Sequence, residues 1–254
     1  MSFYAVLGAT GNVGQALLKV LLQSPENHIH AYCRSKQKLV KLLPSITDNK
    51  QIDVFEGNLR DIELLVNCLS GTRAVFLAVA LTENQPGCTI AQDTAYVVVS
   101  ALERLKSKNE RLPKLIVLSS ASLDHRLMPD SPGFLLNTLY CAFSNVYDDL
   151  NEAEKFLRSK DSLVTATFVR PGALCSDTQK GHVLSMQSAT MPLSFLDLAA
   201  GMVEIADADG DRYDMKGVAV CPTAQDVSFP WDAPLSITRG LLFHFLPWTY
   251  RFLG

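Results

Sequence analysis

Short apolar runs alternate along this chain with longer stretches in which apolar positions recur every three or four residues. Phe3–Leu7, His28–Cys33, Ile52–Phe55, Ala74–Ala80, Leu115–Ser119 and Leu163–Val169 have the length and content of strands. Between them, Val13–Leu22 sets Val13, Leu17, Leu18, Leu21 and Leu22 on one helical face, and Lys36–Leu43 reads as a short helix stopped by Pro44. Further helices are predicted around Ile62–Leu69, over Thr89–Lys106 ahead of Pro113, and over Asn145–Ser159, where Val146, Leu150, Ala153 and Leu157 share a face. Ala74–Ala80 is apolar at every position, as a strand covered on both faces would be. Such alternation builds a parallel sheet with helices on both sides, joined by right-handed crossovers. After Gly172 the pattern weakens. A helix over Phe195–Ala206 and a strand over Gly217–Cys221 are predicted, and the rest reads as irregular. The expectation is one domain over residues 1–254, doubly wound, in which roughly 172–254 covers the ligand crevice and contributes the substrate pocket.

The first strand runs directly into Gly8-Ala9-Thr10-Gly11-Asn12-Val13-Gly14, and the first helix follows. Gly8 allows the tight strand-to-helix turn, Gly11 lets backbone approach a pyrophosphate with no Cβ in the way, and Gly14 lets the helix pack closely on the sheet. The bare amides and the positive end of the helix dipole at that terminus attract phosphate. Three glycines at this spacing are a weak signal alone. Placed between an apolar strand and an amphipathic helix they are a strong one, and they predict a bound NAD(P)(H).

The end of the second strand discriminates between the two dinucleotides. An NAD ribose is held by Asp or Glu roughly 20 residues past the last glycine. Here that position is Arg34, which cannot accept the ribose proton but can pair with a 2′-phosphate, helped by Ser35 and Lys38. NADP(H) is therefore expected in preference to NAD(H). Asn58 and Leu59 after the third strand are placed beside the adenine, and Ala78, Val79 and Ala80 beneath its ribose.

Composition narrows the partners. With 48% hydrophobic and 19% charged residues and a net charge of -3, the chain has an ordinary globular balance and no basic stretch suited to nucleic acid. The 6 cysteines form no C-x-x-C pair and no zinc-spaced cluster, so free thiols and no metal are expected. No apolar run approaches the roughly 18 residues of a membrane span, and no leader pattern precedes the first strand. A cytoplasmic protein, monomeric or homodimeric, follows as the expectation.

The glycine loop, Glu56-Gly57-Asn58-Leu59-Arg60-Asp61, Ser119-Ser120, Ala153-Glu154 and Arg170-Pro171-Gly172 together resemble the NmrA-like, NAD(P)H-binding branch of the atypical short-chain dehydrogenase/reductases over roughly residues 3–205. The resemblance implies a Rossmann-like fold. At a finer level Leu77–Ala80, Ser144–Asp149 and Phe229–Ala233 are similar to fungal oxidoreductases of the averufin-oxidase and anthraquinone-tailoring type. That likeness implies an NADPH-dependent reductase or oxidoreductase acting on a small aromatic or carbonyl compound in polyketide secondary metabolism.

Members of the wider superfamily use a serine after the fifth strand, a tyrosine that donates a proton, and a lysine four residues further on. Ser119, Ser120 and Ser122 stand at the right strand end, and Tyr147 follows on a helix. The lysine is absent: Asn151 occupies its place, able to bond a ribose hydroxyl but bringing no positive charge to a neighbouring phenol. Tyr147 thus reads either as proton donor or as a packed ring, and Tyr140 is a weaker candidate. His125, just past the same strand end, is a second acid–base candidate or a solvated loop residue. Pro171 and Gly172 are expected to shape the carboxamide pocket, and Ser119 to touch the cofactor. The missing lysine leaves open a non-redox isomerase or cyclase on the same scaffold. The NmrA likeness leaves open a dinucleotide-sensing regulatory binder. The aromatic run Leu241–Tyr250 reads as core closure first, and otherwise as a substrate lid, a dimer contact or an interfacial membrane segment.

Overall fold

The computed structural model describes residues 1–254. Its framework follows the predicted alternation: β1 (Ser2–Leu7), α1 (Asn12–Leu21), β2 (Asn27–Cys33), α2 (Lys36–Leu42), β3 (Ile52–Glu56), α3 (Ile62–Leu69), β4 (Ala74–Leu77), α4 (Ile90–Ser107) and β5 (Lys114–Leu118). Two helices then come in succession, α5 (Gly133–Ala142) and α6 (Ser144–Arg158), before β6 (Ala166–Val169). The remainder holds β7 (Leu174–Cys175), β8 (His182–Ser185), β9 (Leu193–Ser194), α7 (Phe195–Asp207), β10 (Gly217–Pro222), α8 (Ala233–Phe245) and α9 (Tyr250–Leu253).

The main sheet has the order β3-β2-β1-β4-β5-β6-β10-β8, parallel except that β8 runs antiparallel to β10 at its edge. The chain reverses its winding direction between β1 and β4. In sheets of this kind that switch point opens a crevice at the carboxyl ends of the strands, where ligands bind. A two-stranded parallel ladder pairs β7 with β9.

Alternation along β1 sorts the two cores. Tyr4 and Val6 join the cluster that α1 and α7 close with Leu17, Leu21, Leu198 and Met202. Ala5 and Leu7 join the cluster closed by α3, α4 and α6 with Leu65, Leu102 and Leu157. Both clusters consist of buried, mostly aliphatic and aromatic side chains, which is where burial of apolar surface stabilises the fold.

Several sequence expectations are corrected. β4 stops at Leu77, and Ala78–Ala80 leave the sheet after the Ala78 amide donates to the Leu7 carbonyl (3.0 Å). Leu163–Thr165 precede β6 as turn and coil rather than starting it. The stretch after Gly172 is more regular than read: it adds β8 to the sheet edge and the 13-residue α8. Helix α5 has no counterpart in the sequence reading. Its sequence GFLLNTLYCA is apolar nearly all round, so no amphipathic period marks it. The aromatic run closes little core: Phe243 and Thr249 are buried, whereas Phe245 and Trp248 are exposed. The 6 cysteines are all free thiols. No helix is long and apolar enough to cross a membrane.

Candidate functional site

The glycine loop sits at the switch point, and each glycine has a separate reason. Gly8 holds φ +88, and a Cβ there would lie 2.5 Å from the Ala78 carbonyl oxygen, so the turns after β1 and β4 approach backbone to backbone. At Gly14 a Cβ would lie 2.2 Å from the Gly8 carbonyl oxygen and 2.8 Å from the Ala9 Cα, which sets how tightly α1 seats on β1. Gly11 differs: a Cβ would meet only the Gly8 oxygen, at 3.4 Å. Gly11 is the N-cap of α1 and donates its own amide to Gly8 (2.9 Å), and no side chain caps the helix. Gln15 is the first residue whose N–H is taken up, by the Gly11 carbonyl (2.8 Å), so the amides of Asn12, Val13 and Gly14 point out of the helix end. This is a cradle for an anion, free of side-chain atoms, and a dinucleotide pyrophosphate fits it.

The neighbouring loops converge on it. The Ala9 amide donates to Tyr32 at the end of β2 (3.3 Å), and the Tyr32 hydroxyl donates to the Asn58 carbonyl (2.8 Å). Asn58 and Leu59 are thereby fixed beside β2, Asn58 exposed and Leu59 half-buried. Arg34 is exposed at the β2 end and makes no ion pair. Ser35 caps α2 by accepting from the Lys38 amide (3.1 Å), and the next amide, of Lys36, donates to the Glu56 carboxylate (3.1 Å). These contacts draw the glycine loop, the end of β2, the loop after β3 and the turn at Ala78 together.

The predicted chemistry lies across the ends of β5 and β6. The Ser119 amide donates to the Val169 carbonyl (2.8 Å) and the Ala121 amide to Pro171 (2.9 Å), so Ser119, Ser120, Pro171 and Gly172 are brought together. The half-buried Ser120 caps a short 3-10 turn over Ala121–Leu123, accepting from the Ser122 amide (3.3 Å). The Ser119 hydroxyl is sealed, lacks a hydrogen-bond partner and lines a cavity of about 20 Å³ between the sheet, α4 and α6, large enough for one water molecule.

Tyr147 and Asn151 stand one turn apart on α6 and share a face. The Tyr147 ring packs against Tyr140 and Phe143 at centroid separations of 5.9 and 5.7 Å, and its hydroxyl has no partner within the protein. No hydrogen bond joins it to Ser120. Tyr140 is otherwise engaged. Its hydroxyl donates to Asp148 (2.5 Å), and that bond, with burial adding to it, pushes the phenol up to about 12. His125 is exposed on a 3-10 turn and bonds to nothing through its ring. Three of the other histidines bond within the fold, His30 to the Cys68 carbonyl (2.6 Å), His244 to the Ser144 hydroxyl (2.8 Å) and His182 to the Glu204 carboxylate (2.9 Å), and His28 stacks on Phe3.

Two features of the site were missed by sequence reasoning. Arg170, only 7% exposed, bridges Asp124 in the loop after β5 (2.9 Å) and Glu154 on α6 (2.8 and 3.0 Å). It fixes the loop that carries Ser120 against the helix that carries Tyr147. Arg158 bonds the Glu154 oxygen that Arg170 also bonds, and Arg126 holds Asp124 (2.8 Å), so each carboxylate of the cluster meets two guanidinium groups. These partners keep the Asp124 carboxyl below the usual carboxylate range, the Arg126 hydrogen bond contributing most. The Glu154–Arg158 spacing was the one signal of this network in the sequence. The second feature, Asn84, is buried and gives none. Its amide donates to the Cys141 and Gly240 carbonyls and accepts from the Asn145 amide (2.8 Å), tying the loop after β4 to α5, α6 and α8.

A doubly wound sheet with a bare-amide helix end at its switch point defines a dinucleotide-binding Rossmann protein. Residues 8–209 match the NAD(P)H-binding family model, and the chain belongs to that family. It is similar to the oxidoreductase ordB of Dothistroma septosporum, 54% identical over 256 residues that cover 100% of this chain and 96% of that one. It is also 53% identical to the oxidoreductase aflX of Aspergillus parasiticus, over 100% of this chain and 96% of the relative. Among solved structures, a short-chain dehydrogenase/reductase of Veillonella parvula in complex with NADP shares the fold at TM-score 0.64 and 21% identity, covering 91% of this chain and 99% of that one.

Proposed function

We propose that this protein is an NADP(H)-preferring oxidoreductase that acts on a small aromatic or carbonyl compound as a tailoring step of polyketide metabolism. The observation that carries the reading is the uncapped N-terminus of α1, where Gly11 leaves the amides of Asn12, Val13 and Gly14 facing outward. Identity at or above 50% to several fungal oxidoreductases over the whole chain supports the reaction class. Arg34, exposed and without an acidic partner, supports the 2′-phosphate preference.

When bound, the nicotinamide supplies the hydride chemistry, and the protein supplies orientation and electrostatics. Asn58, Leu59 and Ala78–Ala80 would hold the adenosine half, with Pro171, Gly172 and the backbone of Ser119, whose hydroxyl is sealed, at the nicotinamide end. Ser120 would bind the substrate oxygen and Tyr147 would give or take its proton, its free hydroxyl being available for that contact. Asn151 would hold the ribose in the place of the missing lysine, and residues 172–254 would wall the substrate pocket. His125, exposed and unpartnered, stands as the alternative proton carrier.

The test is a coupled one. NADPH and NADH are titrated separately, and the absorbance of the reduced nicotinamide is followed with a panel of phenolic and quinone substrates. NADPH should bind the more tightly, and each product formed should match one NADPH consumed. Product without cofactor consumption would replace this reading by a non-redox reaction.

A further inference from the structure

The C-terminal elements leave an apolar surface that the fold does not use. Helix α8 lies across α5 at close range: a Cβ on Gly240 would fall 2.0 Å from the Ala142 carbonyl oxygen, so glycine is needed for the crossing. The Asn84 amide locks the same point by donating to both helices, at Cys141 and Gly240. Phe243 then packs edge-on against Tyr250, which carries the chain into α9. The inner side of this layer is therefore fixed.

Beyond these contacts the layer carries exposed aromatic side chains. Phe134, Trp231, Leu235, Phe245, Trp248 and Phe252 are between 62% and 83% exposed, and they include both tryptophans of the chain. Side chains of this size, open to that degree, sum to roughly 800 Å² of apolar area. The largest apolar patch on a monomeric protein is typically about 300–600 Å², whereas a stable protein–protein interface takes about 800 Å² from each partner. Charge is scarce across the layer. Helix α5 has no ionic side chain, and the single arginine of α8, Arg239, is already engaged with Glu83 (3.3 Å) and with the Leu253 carbonyl, which leaves Asp232 at the start of α8 and Arg251 of α9 as the layer's exposed charges. Depletion of charge with enrichment in Trp and Phe is the composition of a homodimer interface core. A helix lying in a membrane surface would instead carry a strongly basic polar face, and neither α5 nor α8 has one.

We infer that the face formed by α5, α8 and α9 is the contact for a second copy of this chain, in an isologous two-fold dimer. The same patch meets itself across the axis, so each aromatic side chain is covered without a second type of surface. The Tyr140 ring of α5 packs on Tyr147 (5.9 Å), so on the proposed function this layer adjoins the helix that carries the proton donor.

Sedimentation velocity of the full chain tests this directly. The native protein should sediment at twice 27.9 kDa at micromolar concentration. Trp231→Glu with Phe252→Glu should sediment as the monomer with unchanged circular dichroism, since both residues are on the surface and their loss opens no core. Leu42→Glu, exposed on α2, should leave the dimer intact. A native chain that stays monomeric at about 100 μM overturns the proposal. So does a dimer that survives the double variant, since it must then use another face. Monomer that floats with neutral phosphatidylcholine vesicles overturns it in favour of a lipid surface.

Discussion

Replacing Gly11 by serine separates the binding role of the glycine loop from its folding role. Gly11 holds φ -77 and ψ 165, ordinary extended backbone for an N-cap, and its added side chain would meet only the Gly8 oxygen at 3.4 Å. Serine is a preferred N-cap and glycine only a few tenths of a kcal/mol poorer, so stability should stay level or rise by about that amount. The new hydroxyl, however, accepts from the Val13 or Gly14 amide, the donors that a diphosphate would need. Removing one hydrogen bond to a charged group costs about 1.5–3 kcal/mol, a loss of affinity of roughly 10- to 150-fold. Gly14→Ala should do the reverse. Its Cβ would press on three backbone atoms, at 2.2, 2.8 and 2.9 Å, and none can swing away as a side chain would. Overpacking of about 3 kcal/mol corresponds to a fall in Tm of roughly 6–12 °C for a chain of this size. Calorimetric titration with NADPH and thermal unfolding of both variants give the two readouts. If Gly11→Ser binds as tightly as the native protein, the pyrophosphate does not sit at this helix end.

Three other outcomes are expected. Arg34→Asp should weaken NADPH at least about tenfold while sparing or improving NADH, read from the two dissociation constants; an unchanged ratio would remove Arg34 from 2′-phosphate recognition. Tyr147→Phe should lower kcat by about 10²-fold with little change in cofactor affinity, and an unaltered kcat would leave Tyr147 as packing against Tyr140 and Phe143. Asp124→Asn should alter the acid limb of stability. Because the folded carboxyl is held below its ordinary value, its contribution is complete above about pH 5 and is lost as pH falls through the folded pKa. Urea titrations from pH 7 to 3 should therefore show the gap between native and variant closing towards acid pH, and a constant gap would mean that Asp124 is not stabilised as a charge.

What the sequence determined by itself was everything that local pattern can encode. Buried strands such as Ala74–Leu77 announce themselves because both faces must be apolar, and α1 and α6 because one face must be. The glycine loop was legible for a related reason, since its chemistry depends on neighbours within a few residues and on the elements just before and after it. Tertiary structure alone decided what depends on distant partners. Helix α5 carries no amphipathic stripe although only one side of it is covered, and its place comes from α8, joined through Gly240 and Asn84 from a third part of the chain. Arg170 read as the end of a strand and became the clamp between the Ser120 loop and α6 only when the fold brought Asp124 and Glu154 to it. The aromatic run of α8 and α9 shows the same limit. Its composition favoured burial, and only the packing revealed that Phe243 turns inward while Phe245, Trp248 and Phe252 face outward, because a surface helix turns a single stripe to the core.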